Sequence, residues 1–400
     1  MNRLDELIKE LCPEGMEYVK LKTICDVYDG THKTPNYTTT GIKFVSVENI
    51  NNLYATEKYI SEENYNKYKI KPQMNDVLMT RIGTIGTCTV IEKNVPLAYY
   101  VSLALLRPNT KILNSKYLKY YIESKYGRKE LYKRTLINAV PIKVNTGDIG
   151  KISIFVPPLE VQREIVRILD SFTEYTALLE KELALRKKQY AYYRNMLLDF
   201  GDNVERRTLG EIFNIRDGTH DTPKKSDKGF PLVTSKNIIN GIIDKSSCYL
   251  ISKNDYDAIN QRSKVYINNI LMSMIGTIGA TAIVKEEPNY AIKNIGLIMT
   301  TNEIQAKFIN FYLNSNYAQK YISENIKGTA PKYLSLTALR NFPVPFPPLE
   351  EQKRIVEILD KFDKLCNDLT SGLPAEINAR KKQYAYYRDQ LLSFQERIIT

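Results

Sequence analysis

Tryptophan is absent from the 400-residue sequence, and histidine occurs only twice. The five cysteines form no CxxC pair, so their spacing predicts neither a zinc site nor a disulfide framework, and we expect reduced, partly buried thiols. No apolar run is long enough for a membrane-spanning helix. The N-terminal residues lack the apolar core and cleavage site of a secretory signal. We therefore expect a cytoplasmic protein.

Motifs of common catalytic sites are also missing. There is no GxxxxGK[ST] phosphate loop, no HExxH and no GxSxG. Residues 83–88 (GTIGTC) lack the lysine of a phosphate loop, and residues 341–345 (NFPVP) are not the Asn/Asp-Pro-Pro-aromatic motif of adenine methyltransferases. His32 and His220 have no nucleophile–carboxylate pattern beside them, as a general base would need. The sequence therefore predicts a protein that is not an enzyme and holds no metal.

Positive charge is in excess. Formal net charge is +12 and the pI is about 9.1. Such an excess attracts polyanions through a long-range, salt-sensitive field, which indicates a nucleic-acid partner. A solvated basic surface is the alternative, because a composition rich in Lys, Asn, Ile and Tyr is also typical of AT-rich genomes.

The chain contains one long internal repeat, which decides its architecture. RKKQYAYYR occurs unchanged at residues 186–194 and 380–388. Four other blocks recur in the same order. They are residues 21–35 (LKTICDVYDGTHKTP) and 209–223 (LGEIFNIRDGTHDTP), 45–50 and 233–238, 77–87 (VLMTRIGTIGT) and 270–280 (ILMSMIGTIGA), and 157–170 (PPLEVQREIVRILD) and 347–360 (PPLEEQKRIVEILD). Both halves are therefore expected to fold alike.

Each repeat consists of a globular module followed by a helical region. Residues 41–50 and 230–239 have the β-branched content of strands, and residues 76–93 are typical of two strands joined by a turn at 82–86. Residues 114–131 and 302–322 carry apolar residues at the three-four spacing of an amphipathic helix. The modules are therefore predicted to be α+β.

The helical regions begin after Pro-Pro and carry coiled-coil-like apolar stripes. Two such helices are expected to pair as an antiparallel coiled coil with pseudo-two-fold symmetry. Gly372 and Pro374 predict a kink or break in the second helix. Within the helical regions the spacing between matching blocks of the two repeats increases from 190 to 194 residues. The difference of four residues is about one helical turn. The predicted segments are two modules, residues 1–156 and 203–346, and two helical regions, residues 157–202 and 347–400.

The sequence resembles the specificity subunits of type I restriction–modification systems in the order of its parts. A globular module is followed by PPLExQxxIVxILD and then by RKKQYAYYRxxLL, and this whole unit then occurs a second time. DGTHxTP and GTIG also occur in that family's modules. The resemblance covers residues 21–394. It implies that each module is a target-recognition domain for one half of a bipartite double-stranded DNA site. Unequal polar residues at equivalent positions of the repeat, Lys33 against Asp221 and Glu48 against Lys236, predict that the two half-sites differ and that the site is asymmetric. The resemblance also implies that the helices set the spacing and dock two methyltransferase subunits, with restriction subunits added for cleavage. S-adenosylmethionine, ATP and Mg would belong to those partners and not to this chain.

Candidate DNA contacts follow from charge and position in the repeat. Arg81 is a candidate guanine reader that Met274 replaces in the second copy. For the two histidines, holding a turn is the alternative to contacting DNA, and for GTIG a plain tight hairpin is the alternative to approaching a phosphate. The candidates are Thr31, His32, Lys33, Lys43, Arg81, Thr219, His220, Lys224, Lys225 and Lys236.

The two RKKQYAYYR copies are the candidate docking surfaces. Identical surfaces would recruit two copies of one subunit, and tyrosine and arginine are common interface anchors. The alternative is a solvated basic face with tyrosines in the coiled-coil seam. The docking residues chosen are Arg186, Lys187, Tyr190, Tyr193, Arg194, Arg380, Lys381, Tyr384, Tyr387 and Arg388.

Two other functions fit parts of the pattern. A scaffold could organise partner proteins through its coiled coil without binding DNA. A free-standing DNA-binding regulator would bind a specific site tightly without any partner. Salt-dependent DNA binding by the assembled complex would favour a specificity subunit over a scaffold. Tight specific binding by the chain alone would favour a free-standing regulator over a specificity subunit.

Overall fold

The structure, a computed structural model, describes residues 3–201 and 204–394. Within these ranges no helix combines the length and the apolar character needed to cross a membrane. Short strands and helices make up the first module, and they are α1 (Arg3–Leu11), β1 (Tyr18–Lys20), β2 (Cys25–Asp29), β3 (Ile42–Val45), β4 (Tyr59–Ile60), α2 (Glu62–Asn66), β5 (Val77–Thr80), β6 (Cys88–Val90), β7 (Leu97–Tyr99), β8 (Leu103–Pro108), α3 (Ser115–Glu123), α4 (Lys125–Tyr132), α5 (Thr146–Ile149) and β9 (Ser153–Phe155).

The long helix α6 (Leu159–Leu197) follows the first module. The second module contains β10 (Arg206–Thr208), α7 (Leu209–Ile212), β11 (Asn214–Asp217), β12 (Phe230–Thr234), β13 (Ile238–Ile239), β14 (Ile242–Ile243), β15 (Leu250–Ile251), α8 (Lys253–Ser263), β16 (Ile270–Ser273), β17 (Thr281–Ile283), β18 (Ala291–Lys293), β19 (Ile295–Met299), α9 (Glu303–Leu313), α10 (Asn316–Glu324), β20 (Ile326–Lys327), β21 (Tyr333–Leu334), α11 (Leu336–Arg340) and β22 (Pro343–Pro345). The helices α12 (Leu349–Asn367) and α13 (Leu373–Leu391) come last.

The sheets confirm that the two modules are copies of one α+β fold. Each has a four-stranded antiparallel sheet, in the order β2-β8-β5-β6 in the first and β11-β19-β16-β17 in the second. Each also has a three-stranded mixed sheet, β4-β3-β7 and β15-β12-β18, whose central strand pairs in parallel with one neighbour. A terminal pair, β1-β9 or β10-β22, completes each copy.

Burial explains why the strands of the four-stranded sheets are apolar. Every residue of β5 and of its counterpart β16 is buried, as expected of a strand that is covered on both faces. In the first module one face packs under α3 and the start of α6, through residues such as Tyr117 and Ile165. The other face packs against the three-stranded sheet, through Leu78 and Tyr99.

The two segments predicted as single amphipathic helices are each divided in two. Residues 114–131 form α3 and α4, and residues 302–322 are covered by α9 and α10. The break falls at a serine in both cases. Ser124 and Ser315 are extended, and their hydroxyls accept the N–H groups of Gly127 and Ala318 at 3.3 Å, which caps the second helix. Periodicity did not reveal the break because the apolar spacing continues across it.

The predicted break near Gly372 and Pro374 is confirmed. Asp368 follows α12, and one of its carboxylate oxygens accepts the Thr370 N–H at 2.7 Å. A Cβ at Gly372 would lie 2.4 Å from the carbonyl oxygen of Lys364, so only glycine fits this reversal. The hydrogen bonds to Asp368 also hold the pKa of its carboxyl well below the usual range.

The described residues form two compact units whose boundaries cut through the helical regions. One unit runs to Leu179 and resumes at Ile377, and the other runs from Glu180 to Glu376. Each unit therefore combines one module with the start of the helix that follows it and part of the other helical region. The predicted segment boundaries follow the repeat instead and stay a prediction.

Helices pair antiparallel within each unit, as predicted. In the first unit Phe172 of α6 stacks on Tyr387 of α13 with ring centroids 5.5 Å apart, and Arg380 lies over the Tyr175 ring. Tyr175, which lies later in α6 than Phe172, thus contacts Arg380, which lies earlier in α13 than Tyr387, so the two helices run antiparallel. In the second unit Phe362 of α12 stacks between Tyr190 and Tyr193 of α6, at 6.2 and 5.4 Å. Aromatic side chains fill the seam in both units.

Candidate nucleic-acid interface

The DGTH turn of the first module is organised by the carboxylate of Asp29. Its Oδ1 accepts hydrogen bonds from Arg81 Nη1 at 2.7 Å and from the N–H of Gly30 at 3.1 Å. Its Oδ2 lies 3.0 Å from Nε2 of His32. The aspartate thus fixes the turn and leaves the imidazole exposed at the surface. This geometry supports the turn-holding interpretation of His32.

The second module builds the same cluster from a different arginine. Oδ2 of Asp217 lies 2.9 Å from Nε2 of His220, and Oδ1 accepts a hydrogen bond from Arg262 of α8. Nδ1 of His220 lies 3.0 Å from Oδ1 of Asn294. We call the two sets the Asp–His–Arg clusters: Asp29, His32 and Arg81 in the first module, and Asp217, His220 and Arg262 in the second.

Glycine is required in both DGTH turns because the turn passes close to a neighbouring strand. A Cβ at Gly30 would lie 2.4 Å from the carbonyl oxygen of Tyr100, and one at Gly218 would lie 2.3 Å from that of Ile292. Both contacts are with backbone atoms that cannot rotate away. The backbone of each turn therefore lies directly against the neighbouring segment, and any residue larger than glycine would move it away.

The GTIG segment forms the predicted hairpin turn. It joins β5 to β6, and Gly83 and Gly86 have positive φ angles of 78° and 83°. The turn also contacts a second loop, because the N–H of Gly83 donates to the carbonyl oxygen of Ile142 at 2.9 Å. In the second module Gly276 and Gly279 have φ angles of 78° and 90° in the same turn. The tight-hairpin interpretation is sufficient to explain these glycines.

Most of the predicted DNA contacts lie on the surface. His32, Lys33, His220, Lys224, Lys225 and Lys236 are exposed, and Thr31 and Thr219 are half-buried within the DGTH turns. Lys43 is half-buried, and its Nζ donates to the carbonyl oxygen of Thr56 at 3.0 Å. Apart from Arg81, contact with DNA stays a prediction for these residues.

Arg81 is placed differently from its predicted role. It is only 6% exposed, and its guanidinium donates to the carbonyl oxygens of Val101 and Val144 as well as to Asp29. Internal acceptors thus occupy its Nε and Nη1, and the side chain is buried rather than presented at the surface as a base reader would be. Arg81 is therefore a positioning residue that ties the DGTH turn to the segment after Lys143.

Two residues at the second cluster escaped the sequence analysis: Arg262, which belongs to it, and Asn294, which contacts His220. Arg262 lies on α8, an 11-residue helix, where the first module has only the five-residue α2. Aligning the repeats points to Met274 and gives no signal for Arg262. Asn294 adopts a positive φ of 54°, which the sequence does not reveal. Together with Asp217 and His220, Asn294 and Met274 line a pocket of about 210 Å³.

The proposed docking residues are partly used inside each unit. Tyr190 and Tyr193 stack on Phe362, Tyr387 stacks on Phe172, and Tyr384 meets Tyr120 with ring centroids 6.3 Å apart. Burial raises the pKa of Tyr384 to about 12. Internal packing therefore accounts for part of the identity between the two copies.

The outward face of each copy carries lysines and one further tyrosine. Lys187 and Lys381 are exposed, Arg186 and Arg380 are half-buried, and so are Arg194 and Arg388 at the ends of the copies. Tyr192 and its counterpart Tyr386 are 64% and 60% exposed. Neither was chosen from the sequence, because periodicity could not separate the inward from the outward tyrosines. The docking role of the ten predicted residues stays a prediction.

The five cysteines are free, and four of them are buried. Burial raises the pKa of each thiol, so all five are protonated at neutral pH. In the described part of the chain no group of three or more His, Cys, Asp or Glu residues could hold a metal ion.

Comparison with known proteins assigns the duplicated module. The sequence matches the type I restriction modification DNA specificity domain twice, over residues 13–185 and 201–379. Two such domains in one chain define a DNA-specificity protein. The chain belongs to the family of type I restriction–modification specificity subunits, which are the non-catalytic DNA-recognition components of those systems.

Individual relatives agree with this assignment. The specificity subunit of the Escherichia coli type I enzymes EcoR124I/EcoR124II is 36% identical over 248 residues, which cover 59% of this chain and 60% of that protein. A putative type I specificity subunit from Haemophilus influenzae is 33% identical over 304 residues, 70% of this chain and 73% of the relative. The match to the first relative thus spans less than two thirds of its length.

Solved structures share the fold. The S subunit of a type I restriction–modification system from M. genitalium superposes with a TM-score of 0.54 at 16% identity, over 96% of this chain and 97% of the other. A chain from a structural study of complex assembly in a type I system gives a TM-score of 0.61, also at 16% identity, over 95% and 98%. The two-module arrangement along the chain is therefore that of solved S subunits.

Proposed function

We propose that this chain supplies the sequence specificity of a type I restriction–modification complex, with each module recognising one half of a bipartite, asymmetric double-stranded DNA site. The observation that carries the proposal is that the two modules share one fold but differ in the polar residues on their surfaces. Both modules share sheet order, DGTH turn and GTIG hairpin. Lys33 is replaced by Asp221, and Glu48 by Lys236. Two modules with the same fold and different polar groups at equivalent positions are suited to recognising two different half-sites.

The net charge of +12 supports DNA as the ligand, because lysine and arginine release condensed counterions from the phosphates they neutralise. Exposed lysines follow the histidine of each Asp–His–Arg cluster in the sequence, Lys33 in the first module and Lys224 and Lys225 in the second. They are suited to phosphate contacts, which position a protein on the duplex without selecting bases.

The two RKKQYAYYR faces are proposed to dock two methyltransferase subunits, with restriction subunits completing the complex. Their exposed residues, Lys187 and Tyr192 in one copy and Lys381 and Tyr386 in the other, are nearly identical surfaces on α6 and α13. Identical surfaces would bind one kind of partner twice. Helix length would set the spacing between half-sites.

Chemistry is assigned to the partners. S-adenosylmethionine would serve the methyltransferase subunits, and ATP and Mg the restriction subunits, while this chain would bind no cofactor. Such a complex acts on DNA inside the cell, so the cytoplasm is its proposed location.

The test is a selection of duplexes from a random pool by the complex of this chain with a methyltransferase subunit. We expect a bipartite motif with an unspecified gap, and affinity that falls linearly in log–log form with salt. The methyltransferase subunit without this chain is the control and should select no such motif. Stable complex formation without any DNA selection would support the scaffold instead. Equally tight specific binding by the chain alone would support a free-standing regulator.

A further inference from the structure

The first module has a surface loop that contains none of the residues predicted to contact DNA. We call residues 136–143 the tip loop. Its two ends are paired, because the N–H of Leu136 donates to the carbonyl oxygen of Lys143 at 2.7 Å. The loop is also joined to the GTIG hairpin, where Ile82 bridges to Lys143 and Gly83 donates to Ile142. It is thus an anchored projection beside the hairpin.

Large apolar side chains of the tip loop face solvent. Leu136, Ile137, Val140 and Ile142 are all exposed, and Val140 is 99% exposed. Single exposed apolar residues are ordinary, but four within seven residues of one anchored loop are not, and concentrated exposed apolar residues mark binding surfaces. The sequence analysis passed over the segment because it has neither helical nor strand periodicity.

One exposed positive charge lies at the base of the tip loop. Lys143 is exposed at the base of the loop. Arg81 Nε donates to the carbonyl oxygen of Val144, the residue after Lys143, and Arg81 Nη1 donates to Asp29. Arg81 thereby places the tip loop on the same end of the module as the exposed His32 and Lys33. Exposed apolar side chains beside a lysine fit the major groove, where thymine C5-methyl groups lie between rows of phosphates.

The second module has an equivalent loop with a different tip. Residues 327–333 are anchored in the same way, because Ile275 of the GTIG hairpin bridges to Tyr333 and Leu334 donates to the carbonyl oxygen of Met274 at 2.9 Å. Counted from the bridged residues Lys143 and Tyr333, its tip carries Thr329, Ala330 and Lys332 where the first loop carries Ala139, Val140 and Ile142. The loop tip is therefore one of the places where the two modules differ in chemical character.

We propose that the tip loop of the first module selects its half-site by contact of Ile137 and Val140 with thymine methyl groups in the major groove. The loop of the second module would then recognise its half-site by polar contacts from Thr329 and Lys332. This inference rests on the proposed function, and it assigns specificity-determining residues that lie outside the predicted contacts.

The experiment measures binding of the complex with a methyltransferase subunit to the selected duplex, with thymine replaced by uracil in one half-site at a time. Uracil lacks only the C5-methyl group. We expect binding to weaken about fourfold for each contacted methyl group, and only in the half-site bound by the first module. The response of the other half-site to uracil should be negligible.

Variants assign the effect to the loop. Val140→Ala with Ile137→Ala should weaken binding to the thymine duplex and leave binding to the uracil duplex unchanged, so that the thymine-to-uracil ratio approaches one. Val95→Ala, an exposed valine elsewhere in the same module, is the matched control and should keep the ratio of the wild type. Thr329→Ala should alter selection in the other half-site alone.

The inference is overturned if neither half-site responds to uracil, if the half-site of the first module contains no thymine, or if the double variant keeps the wild-type ratio. Loss of the methyltransferase subunit from the double variant would instead make the loop a protein interface. Failure of the proposed function shows itself separately, since the complex would then select no motif in the unmodified duplex.

Discussion

Replacing Arg81 by methionine tests whether this residue organises the first module or recognises DNA. Methionine stands at the equivalent position of the second module, as Met274, so the frame accepts it. The substitution keeps an apolar stem and removes the guanidinium. The carbonyl oxygens of Val101 and Val144 then lose the guanidinium as a donor, and Asp29 keeps only its contacts with the Gly30 N–H and His32.

The expected loss follows from those three bonds. A hydrogen bond to a charged group contributes about 1.5–3 kcal/mol, and a buried carbonyl left without a donor costs about 1 kcal/mol or more. The Asp29 side chain is 31% exposed, so water replaces part of the ion pair. We expect a total of about 3 kcal/mol, which lowers the melting temperature of a unit of this size by roughly 6–12 °C.

Hydrogen exchange with mass spectrometry on the full-length chain is the suitable assay, because it separates peptides of the two units. Arg81→Met should speed exchange around the DGTH turn and the tip loop and leave the second unit unchanged. Lys33→Met removes a positive charge from the exposed part of the turn and should leave exchange as in the wild type. Combining Arg81→Met with Asp29→Asn should show coupling of about 1–2 kcal/mol. Unchanged exchange together with altered sequence preference would refute the positioning role.

Three further predictions concern the frame. Burial raises the pKa of Glu123, whose Oε1 accepts the N–H of Cys88 at 2.9 Å. The contribution of Glu123 to stability is therefore complete below the ordinary carboxyl pKa and is lost as pH rises through the raised pKa. Glu123→Gln should flatten that loss when unfolding is measured as a function of pH. Gly218→Ala should destabilise the second unit by about 3 kcal/mol in thermal unfolding, because the new Cβ would meet the Ile292 carbonyl oxygen; an unchanged melting temperature would contradict the close approach. Phe362→Ala removes both stacked contacts in the helix seam and should cost about 2 kcal/mol by urea unfolding, whereas no loss would show that the seam does not hold that unit together.

The repeat made the architecture predictable. Matching blocks such as DGTH and GTIG implied two equal modules, and the apolar stripes implied helices that pair antiparallel. Gly372 predicted the break between α12 and α13 because glycine and proline interrupt helices through local backbone effects. These features depend on short-range sequence, which is the information a single chain displays directly.

Features that depend on contacts distant in sequence could not be predicted in this way. Arg81 resembled a surface arginine until the structure showed Val144, 63 residues away, as one of its acceptors. Arg262 performs the same task from α8, a helix without an equal in the first module. Repeat alignment compares equivalent positions, so it cannot detect a role that has moved to a different element.

The central claim is that two modules specify two halves of one DNA site, and mapping of methylated bases by single-molecule sequencing tests it most directly. Cells would express the methyltransferase subunit with this chain, without it, or with the chain carrying Val140→Ala and Ile137→Ala. The account predicts a bipartite methylated motif that requires the chain, and relaxed selection in one half of that motif for the variant. A contiguous motif, or the same methylation without the chain, would contradict it.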